Sequence, residues 1–544
     1  MIRQYKWIII LIISLAGLTS AGIYQDKLFE ISKNLEIFTR VYKELNAGFV
    51  DDLDPNIMMK TAIDAMVNSL DPYTNYVTES QVESYRITQD DRYQGIGARV
   101  GLVDDVYTII EPYAGGPAAE SGLRAGDKIK SIDGVYLNGK TLEEINIIIR
   151  GVPGTALKMT IEKPDKKEEA ITLTRGEVNI PNVPYSGMLD NNIGYINLTT
   201  FTANAAANIK NAYKELKSKN PGLQGIILDL RQNGGGLLTE AVNICNLFVP
   251  QGEVVVTTKG KVKEHDQTFK TMAPPTDLEI PLAVLIDKRS ASASEIVSGV
   301  IQDLDRGVII GQRSYGKGLV QNTKNVGYNS VLKLTTSKYY IPSGRCIQGV
   351  EYENGQPKDI PDDLRSKFKT KNGRTVLDGG GVTPDIRLNA EELGELTKAL
   401  TEKYVIFNFV TQYIQGKDSI SSPEMFRFTD FADFQKYCSD KKFRYQTELE
   451  KQLSGLKENA VKTGQSDVIS AELTALENKI TIEKEKAWEK YKEEIIREIE
   501  KEIVFRYYLQ SGKVRYSLNA DKEVREAINV LTDTKRYQKI LNKK

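Results

Sequence analysis

The chain has 544 residues, which is long enough for about three to four domains. Its 73 basic and 73 acidic residues balance, so no net charge draws it to nucleic acid or acidic lipid. Its single histidine, His265, excludes a multi-histidine metal site, and its three cysteines have no metal-ligand spacing. We therefore expect no metal, no cofactor and no nucleic-acid partner.

The N-terminal residues, 1–25, have the pattern of a targeting segment. Arg3 and Lys6 precede an uncharged run, and the small residues Thr19 to Ala21 resemble a cleavage site. The run is near the lower length limit for crossing a bilayer, so it is either a cleaved signal peptide or a membrane anchor. Both alternatives leave the rest of the chain exported. We expect a periplasmic protein, either soluble or anchored to the inner membrane.

Residues 26–90 have apolar residues at helical spacing, such as Leu35, Phe38 and Val41, and predict a helical N-terminal segment. This segment is a candidate spacer or dimer arm.

Residues 91–178 are rich in glycine and short strands. A loop near residue 95 and the phrase AGDKI at 125–129 resemble a PDZ domain in its permuted bacterial form; the alternative is an unrelated β domain. In such a domain the N–H groups of a glycine loop can hold a free carboxylate, beside a groove helix that we expect at Thr141 to Arg150. The predicted substrate-binding residues are Gln94, Gly95, Ile96 and Gly97.

Residues 179–390 alternate strand, glycine turn and helix, which predicts an α/β sheet. The turn RQNGGG at 231–236 follows a buried strand, and its N–H groups could contact an oxyanion or a phosphate, or form only a tight turn. No phosphate-binding motif accompanies it. We expect Asp229 and Arg231 to be structural supports, as an ion pair.

The stretch from Leu285 to Gln321 carries the chemistry. Ser290, Ser292 and Ser294, separated by alanines, lie at a strand-to-helix junction, where free N–H groups favour a developing negative charge. Because His265 lies in a polar, surface-like segment, the base is expected to be Lys317, whose ordinary pKa of about 10.4 must then fall through desolvation. The alternatives are a capping box formed with Glu295 and an ordinary glycine turn.

The phrases SASASEI and GKGLVQ resemble the core of the carboxy-terminal processing peptidases, or tail-specific proteases, over roughly Leu35 to Leu388. This resemblance implies Ser292 as nucleophile, Lys317 as general base and Gln321 as the residue that orients the lysine. It also implies a crotonase/Clp-protease-like α/β core with an inserted PDZ domain. The predicted oxyanion hole combines the N–H of Ala293 with that of Gly235 or its neighbour.

Residues 391–544 are rich in glutamate and lysine at helical spacing and predict an all-α extension. Its expected role is oligomerisation, substrate access or stability alone. Together these features predict a serine endopeptidase that cleaves exported proteins near their C-termini and captures their free apolar tails. The alternatives are a non-catalytic PDZ scaffold on an inactive peptidase core and acyl-CoA chemistry on a crotonase-like fold.

Overall fold

The computed structural model describes residues 27–79, 81–82, 92–353, 356–359, 361–389 and 392–542. The predicted signal peptide or anchor, residues 1–25, lies outside these ranges. Within the described residues, no helix is both long and apolar enough to cross a membrane.

The described residues up to Tyr76 belong to one compact unit. It contains helix α1, residues 27–48, and helix α2, Pro55–Asn68. Helix α2 begins at this point because the carboxylate of Asp54 accepts hydrogen bonds from two backbone amides of its first turn. The short strand β1, Asn75–Val77, follows. Many apolar side chains of α1 are exposed: Leu28, Phe29, Ile31, Leu35, Phe38, Val41 and Leu45.

A small antiparallel β domain follows. Its strands are β2 (Arg92–Gly95), β3 (Ala98–Val103), β4 (Val106–Pro112), β5 (Lys128–Ile132), β6 (Val135–Tyr136), β7 (Ala156–Glu162), β8 (Glu168–Thr174) and β9 (Gly176–Asn179). The main sheet has the order β3-β4-β5-β7-β8, with β6 beside β5, and β2 pairs with β9. Strand β3 is therefore an edge of the main sheet.

Two helices accompany this sheet, α3 (Pro117–Glu120) and α4 (Leu142–Ile149). The expected groove helix is α4, which begins after Thr141 in a capping box with Glu144 and contacts the edge strand β3. It buries Ile145 and Ile149, whereas Leu142 is 40% exposed.

The sheet of the α/β region has six strands in the order β10-β11-β12-β15-β16-β23. Strands β10 and β11 are antiparallel, and all the others run parallel. The strands are β10 (Tyr185–Leu189), β11 (Ile193–Asn197), β12 (Gly225–Asp229), β15 (Leu282–Ile286), β16 (Val308–Gly311) and β23 (Ile386–Arg387). Parallel strands are buried on both faces, which explains their continuous apolar runs.

One face of this sheet packs against three helices that the sequence pattern predicts, α5 (Ala205–Lys219), α6 (Leu238–Phe248) and α7 (Ala293–Asp303). A second, antiparallel sheet contains β13 (Val254–Gly260), β14 (Gln267–Lys270), β17 (Leu319–Gly327) and β18 (Ser330–Tyr340). Four short strands complete this region: β19 (Val350–Glu353), β20 (Gln356–Asp359), β21 (Lys367–Lys369) and β22 (Thr375–Leu377).

The C-terminal part is helical in its described residues. Its helices are α8 (Glu395–Glu402), α9 (Val405–Tyr413), α10 (Phe431–Asp440), α11 (Glu448–Lys462), α12 (Ser466–Lys490), α13 (Lys492–Leu518), α14 (Lys522–Thr532) and α15 (Thr534–Ile540). Helices α8, α9, α10 and α13 share an apolar core with the end of α12.

The last two helices are not part of that core. Val524, Ala527 and Leu531 of α14 and Tyr537 of α15 pack on the second face of the six-stranded sheet, against the side chains that point away from α5, α6 and α7. Because this face consists of buried isoleucine, leucine and valine side chains, it needs a covering layer. The C-terminal segment therefore completes the α/β core itself.

The C-terminal helices also hold the small β domain. Arg506 of α13, whose side chain is 3% exposed, donates a hydrogen bond to the carbonyl of Ala125 at 2.5 Å. Its guanidinium also stacks over the ring of Phe407 in α9, and that ring packs against Val103 and Ile110. The contact between the β domain and the C-terminal helices therefore consists of an apolar patch and a buried cation.

Candidate active site

Ser292 lies between strand β15 and helix α7, as the N-cap residue of α7. Its backbone has φ 56° and ψ −113°, a conformation that is costly for any residue other than glycine. Strained backbone of this kind concentrates at functional sites, since the surroundings must impose it. Its neighbours Ala291 and Ala293 are buried, while Ser292 itself is half-buried. The small neighbours leave its side chain uncrowded.

The other two serines of the cluster make structural contacts. The hydroxyl of Ser290 donates to the carbonyl of Leu230 at 2.8 Å, and that of Ser294 donates to the carbonyl of Asn233 at 2.9 Å. Both are fully buried. They attach the start of α7 to the glycine turn after β12, so that Ser292 is the accessible member of the three.

Glu295 lies at the centre of this region. Its buried carboxylate accepts four hydrogen bonds, from the Ser314 hydroxyl at 2.5 Å and from the backbone amides of Gly316 at 2.7 Å, Ser292 at 2.8 Å and Lys317 at 2.9 Å. Burial raises the pKa of Glu295 to about 7, although all four donors act to lower it. The carboxylate half of the predicted capping box is therefore present, and the same group also holds the lysine turn.

Lys317 lies in the turn between β16 and β17. The flanking glycines are required by close packing: a Cβ on Gly316 would lie 2.7 Å from the Cα of Gly349, and one on Gly318 would lie 2.6 Å from the amide nitrogen of Gln348. The Gly318 amide donates to the Gln348 side chain at 2.7 Å. The Lys317 side chain is half-buried. The turn is thus fixed by neighbours on both sides.

The structure brings Ser292 and Lys317 together through shared partners. Their amides donate to the same oxygen, Oε2 of Glu295, so the two nitrogens are separated by no more than those two hydrogen bonds. The hydroxyl of Tyr339 in β18 lies within hydrogen-bonding distance of the carbonyls of both Ser292 and Lys317, and can donate its one proton to either. No pattern in the sequence points to this contact of Tyr339 with the site.

Gln321, predicted to orient the lysine, lies in β17 at a local irregularity in its pairing with β18. Its side-chain amide donates to the hydroxyl of Thr335 at 3.2 Å. This contact fixes the side chain at the sheet surface, four residues after Lys317.

The glycine turn after β12 lies directly against Ser292. Gly235 has φ 98°, and a Cβ there would lie 2.8 Å from the Cβ of Ser292 and 2.9 Å from the amide nitrogen of Ala293. Among the described residues, the Ala293 N–H has no hydrogen-bond acceptor. The Gly235 N–H, in contrast, donates to Oδ1 of Asn233 at 2.9 Å. Of the two predicted oxyanion donors, only Ala293 therefore has an N–H that no described residue accepts.

The two glycines next to Gly235 differ from it in whether their backbone N–H groups have an acceptor. The N–H groups of Gly234 and Gly236 make no hydrogen bond within the described part of the chain, and both residues are exposed. The sequence analysis predicted that Gly235 or one of these neighbours supplies the second N–H of the oxyanion hole.

Asp229 and Arg231 form the ion pair that the sequence predicts, at 2.6 Å. The same Asp229 carboxylate accepts a hydrogen bond from the hydroxyl of Tyr195 at 2.6 Å. Arg231 also contacts two further carboxylates, those of Asp521 at 2.8 Å and Glu523 at 2.6 Å. No sequence signal links these residues to the turn. His265 is exposed, as expected of a surface histidine.

In the β domain, the predicted carboxylate-binding residues form the turn between β2 and β3. Gln94 and Gly95 end β2, and Gly95 forms an isolated bridge with Arg150. Gly97 has φ 74°. Ile96 is fully buried and its carbonyl accepts from the Ala118 amide, whereas the N–H groups of Ile96 and Gly97 have no acceptor among the described residues. The turn thus offers two adjacent donors.

Comparison with known proteins identifies the class as serine peptidases that carry a PDZ domain. Residues 192–356 match the model of peptidase family S41, residues 108–163 match that of a PDZ domain, and residues 396–531 match that of the C-terminal helical domain of a probable PDZ-protease. The carboxy-terminal-processing protease of Bartonella bacilliformis is 36% identical over 322 residues, which cover 58% of this chain and 73% of that protein. The chain belongs to the family of carboxy-terminal-processing serine proteases.

Two further similarities were found. A probable CtpA-like serine protease of Staphylococcus aureus is 34% identical over 319 residues, which cover 58% of this chain and 63% of that protein. The solved structure of a photosystem II D1 C-terminal processing protease is 24% identical, covers 66% of this chain and 93% of that chain, and has a TM-score of 0.36.

Proposed function

We propose that this protein is an endopeptidase that cleaves exported proteins near their C-termini by means of a Ser292–Lys317 dyad. The observation that carries the proposal is the shared support of the two residues. One carboxylate oxygen of Glu295 accepts both amides, and the hydroxyl of Tyr339 contacts both carbonyls. A nucleophile and a base that are 25 positions apart in the sequence need such common partners to stay in register.

In this mechanism the neutral amine of Lys317 takes the proton from the Ser292 hydroxyl as its oxygen attacks the scissile carbonyl. The tetrahedral intermediate carries its negative charge on the former carbonyl oxygen. When it collapses, the carbon–nitrogen bond breaks and Lys317 returns the proton to the leaving amine. Water, deprotonated by the same lysine, then hydrolyses the acyl-enzyme and regenerates Ser292. Gln321 orients the lysine.

The oxyanion is stabilised by the N–H of Ala293 at the start of α7 and by an N–H of the glycine turn. Because the Gly235 N–H already donates to Asn233, the second donor is proposed to be the N–H of a neighbour, Gly234 or Gly236. Each such donor stabilises the transition state by about 3 kcal/mol in comparable sites. The core around these donors is proposed to be of the crotonase/Clp-protease type.

The PDZ domain is proposed to capture the substrate tail. Two adjacent N–H donors, those of Ile96 and Gly97, suit a free carboxylate, and the exposed edge strand β3 beside α4 suits an extended peptide. The partly exposed Leu142 favours an apolar tail. Residues 1–25 are proposed to direct export to the periplasm, either as a cleaved signal or as an inner-membrane anchor. The exposed apolar face of α1 is a candidate surface for homo-oligomers.

The proposal is tested with a purified protein substrate that ends in an apolar tail, analysed by mass spectrometry. Wild type is expected to release products shortened at the C-terminus, and Ser292→Ala is expected to release none. Ser298→Ala is the matched control, because the Ser298 hydroxyl only donates within helix α7. Cleavage by Ser292→Ala at the wild-type rate would contradict the assignment.

A second arm tests tail capture. The same substrate with an amidated C-terminus lacks the carboxylate and is expected to be cleaved with a higher KM. Equal KM values for both tails would remove the PDZ loop from substrate recognition while leaving the dyad intact.

A further inference from the structure

The guanidinium of Arg231 is enclosed by carboxylates from two distant parts of the chain. Its Nε and Nη2 bond the carboxylate of Asp229, two residues earlier. Its Nη2 also meets Asp521 at 2.8 Å, and its Nη1 donates to Glu523 at 2.6 Å. Asp521 and Glu523 lie at the start of α14, about 290 positions later in the sequence.

This arrangement leaves the arginine little freedom. Both edges of its planar fork are engaged, and the side chains of Arg231, Asp521 and Glu523 are only 18%, 15% and 13% exposed. Burial raises the pKa of Glu523, with Asp521 and Asp229 adding to the effect and Arg231 opposing it. Buried carboxylates of this kind are stable only beside a cation, so the three acids and Arg231 hold one another in place.

The carboxylates of Asp521 and Glu523 differ in their contacts: one caps the helix and contacts Arg231, and the other contacts Arg231 without capping. Oδ1 of Asp521 accepts the amides of Glu523 and Val524 and so caps the helix, while Oδ2 contacts Arg231. The side chain of Glu523 takes no part in the cap, and its Oε2 accepts a hydrogen bond from Arg231. An uncharged variant at either position can therefore keep the helix start and change only the charge next to the arginine.

Arg231 is the first residue of the glycine turn that lies against Ser292. Two residues later, the carbonyl of Asn233 accepts the amide of Ala291 at 3.0 Å and the hydroxyl of Ser294 at 2.9 Å, so it holds the residues on either side of Ser292. A displacement of Arg231 would shift this carbonyl and the N–H groups of the following glycines.

We propose that Asp521 and Glu523 are positioning residues for the glycine turn beside Ser292, so that the C-terminal helix α14 belongs to the active-site assembly. The inference rests on the proposed role of Ser292 as nucleophile. Neither carboxylate touches the reacting atoms. They act by fixing Arg231, and through it the N–H groups that must meet the oxyanion.

The test compares Glu523→Gln and Asp521→Asn with Glu526→Gln in the full-length protein. Glu526 is on the same helix but pairs with Arg536, so its variant loses an ion pair without affecting Arg231. Glu523→Gln and Asp521→Asn are each expected to lower kcat about tenfold, because small displacements at a reacting centre are costly. KM should change less than twofold, and Glu526→Gln should match wild type in both constants.

Amide hydrogen exchange supplies a readout that does not depend on activity. Faster exchange is expected in the peptide that covers residues 231–236 for Glu523→Gln and Asp521→Asn, and not for Glu526→Gln. The inference is overturned if both variants keep kcat within twofold of wild type, or if Glu526→Gln loses as much activity as they do. The Ser292→Ala variant distinguishes a failure of the proposed function from a failure of this inference. If Ser292→Ala still cleaves the substrate, the proposed function is wrong. If Ser292→Ala is inactive while Glu523→Gln and Asp521→Asn are as active as wild type, only this inference is wrong.

Discussion

The backbone amides of Ser292 and Lys317 donate to the same oxygen of Glu295. The other oxygen of that carboxylate accepts the hydroxyl of Ser314 and the amide of Gly316, so one buried acid joins the start of α7 to the lysine turn. The relative position of the proposed nucleophile and base therefore depends on this side chain, together with Tyr339. The ionisation state of Glu295 should influence both stability and activity.

Because of Glu295, we expect stability to fall and activity to rise as the pH increases. Burial raises its pKa from the ordinary 4.5 to about 7, so the folded protein binds a proton here more tightly than the unfolded chain does. Its contribution to stability should fall by roughly 3 kcal/mol as the pH rises between these values. Activity should rise over the same interval, because only the carboxylate accepts from all four donors.

Glu295→Gln tests this expectation. The amide cannot ionise, and its NH₂ group would face a backbone N–H, which leaves a buried donor unpaired and costs about 1–3 kcal/mol. We expect lower stability, lower kcat and the loss of the rise in activity between pH 5 and 7 (approximate bounds set by that pKa). Urea denaturation and kcat profiles across this range measure both effects. A variant that keeps the wild-type pH profile would exclude Glu295 as its source.

Gly235 and Gly234 should respond differently to the same substitution. A Cβ at Gly235 would meet the carbonyl of Ala291 at 2.7 Å and the Cβ of Ser292 at 2.8 Å, in a backbone with φ 98°. Gly235→Ala is therefore expected to destabilise the fold by about 1–3 kcal/mol and to abolish cleavage. Gly234→Ala is the control, since a Cβ there has no heavy atom within 4 Å and the N–H is retained. Equal activities of the two variants would contradict the packing described for this turn.

Arg506 is expected to hold the PDZ domain against the C-terminal helices. Arg506→Gln removes the cation that contacts the Ala125 carbonyl and leaves Glu502 without its partner, at a cost of about 3 kcal/mol. Hydrogen exchange should accelerate in the segment around Ala125. Lys501→Gln on the same helix serves as the control, because the Lys501 side chain is 30% exposed, against 3% for Arg506, and its ion pair with Glu498 is correspondingly weaker. Unchanged exchange near Ala125 in Arg506→Gln would show that the apolar patch alone holds the domain.

The sequence was most informative where chemistry depends on local pattern. The strand, the serine cluster and the helix at Leu282 to Asp303 lie where the pattern predicts them, and the Asp229–Arg231 pair forms as expected. Local spacing also suggested that Glu295 caps α7. That the same carboxylate reaches Lys317 could not be predicted, since no spacing rule links residues 22 positions apart across a turn.

The C-terminal region shows more clearly what cannot be predicted from the sequence. Glutamate and lysine at helical spacing predict helices correctly, but periodicity does not reveal which surface a helix covers. Val524, Ala527 and Leu531 pack on strands more than two hundred residues earlier, and Glu523 meets Arg231. Such contacts depend on the tertiary fold.

The most direct test of the dyad is the cleavage rate of Lys317→Ala and Lys317→Arg, measured beside Lys338→Ala. Lys338 is an exposed lysine on β18, paired in register with Leu319, and serves as the control for loss of a nearby charge. Both Lys317 variants should be about 10²–10⁴-fold slower than wild type, because alanine has no base and arginine does not lose its proton. Lys338→Ala should match wild type. A Lys317 variant that cleaves within tenfold of the wild-type rate would contradict the account.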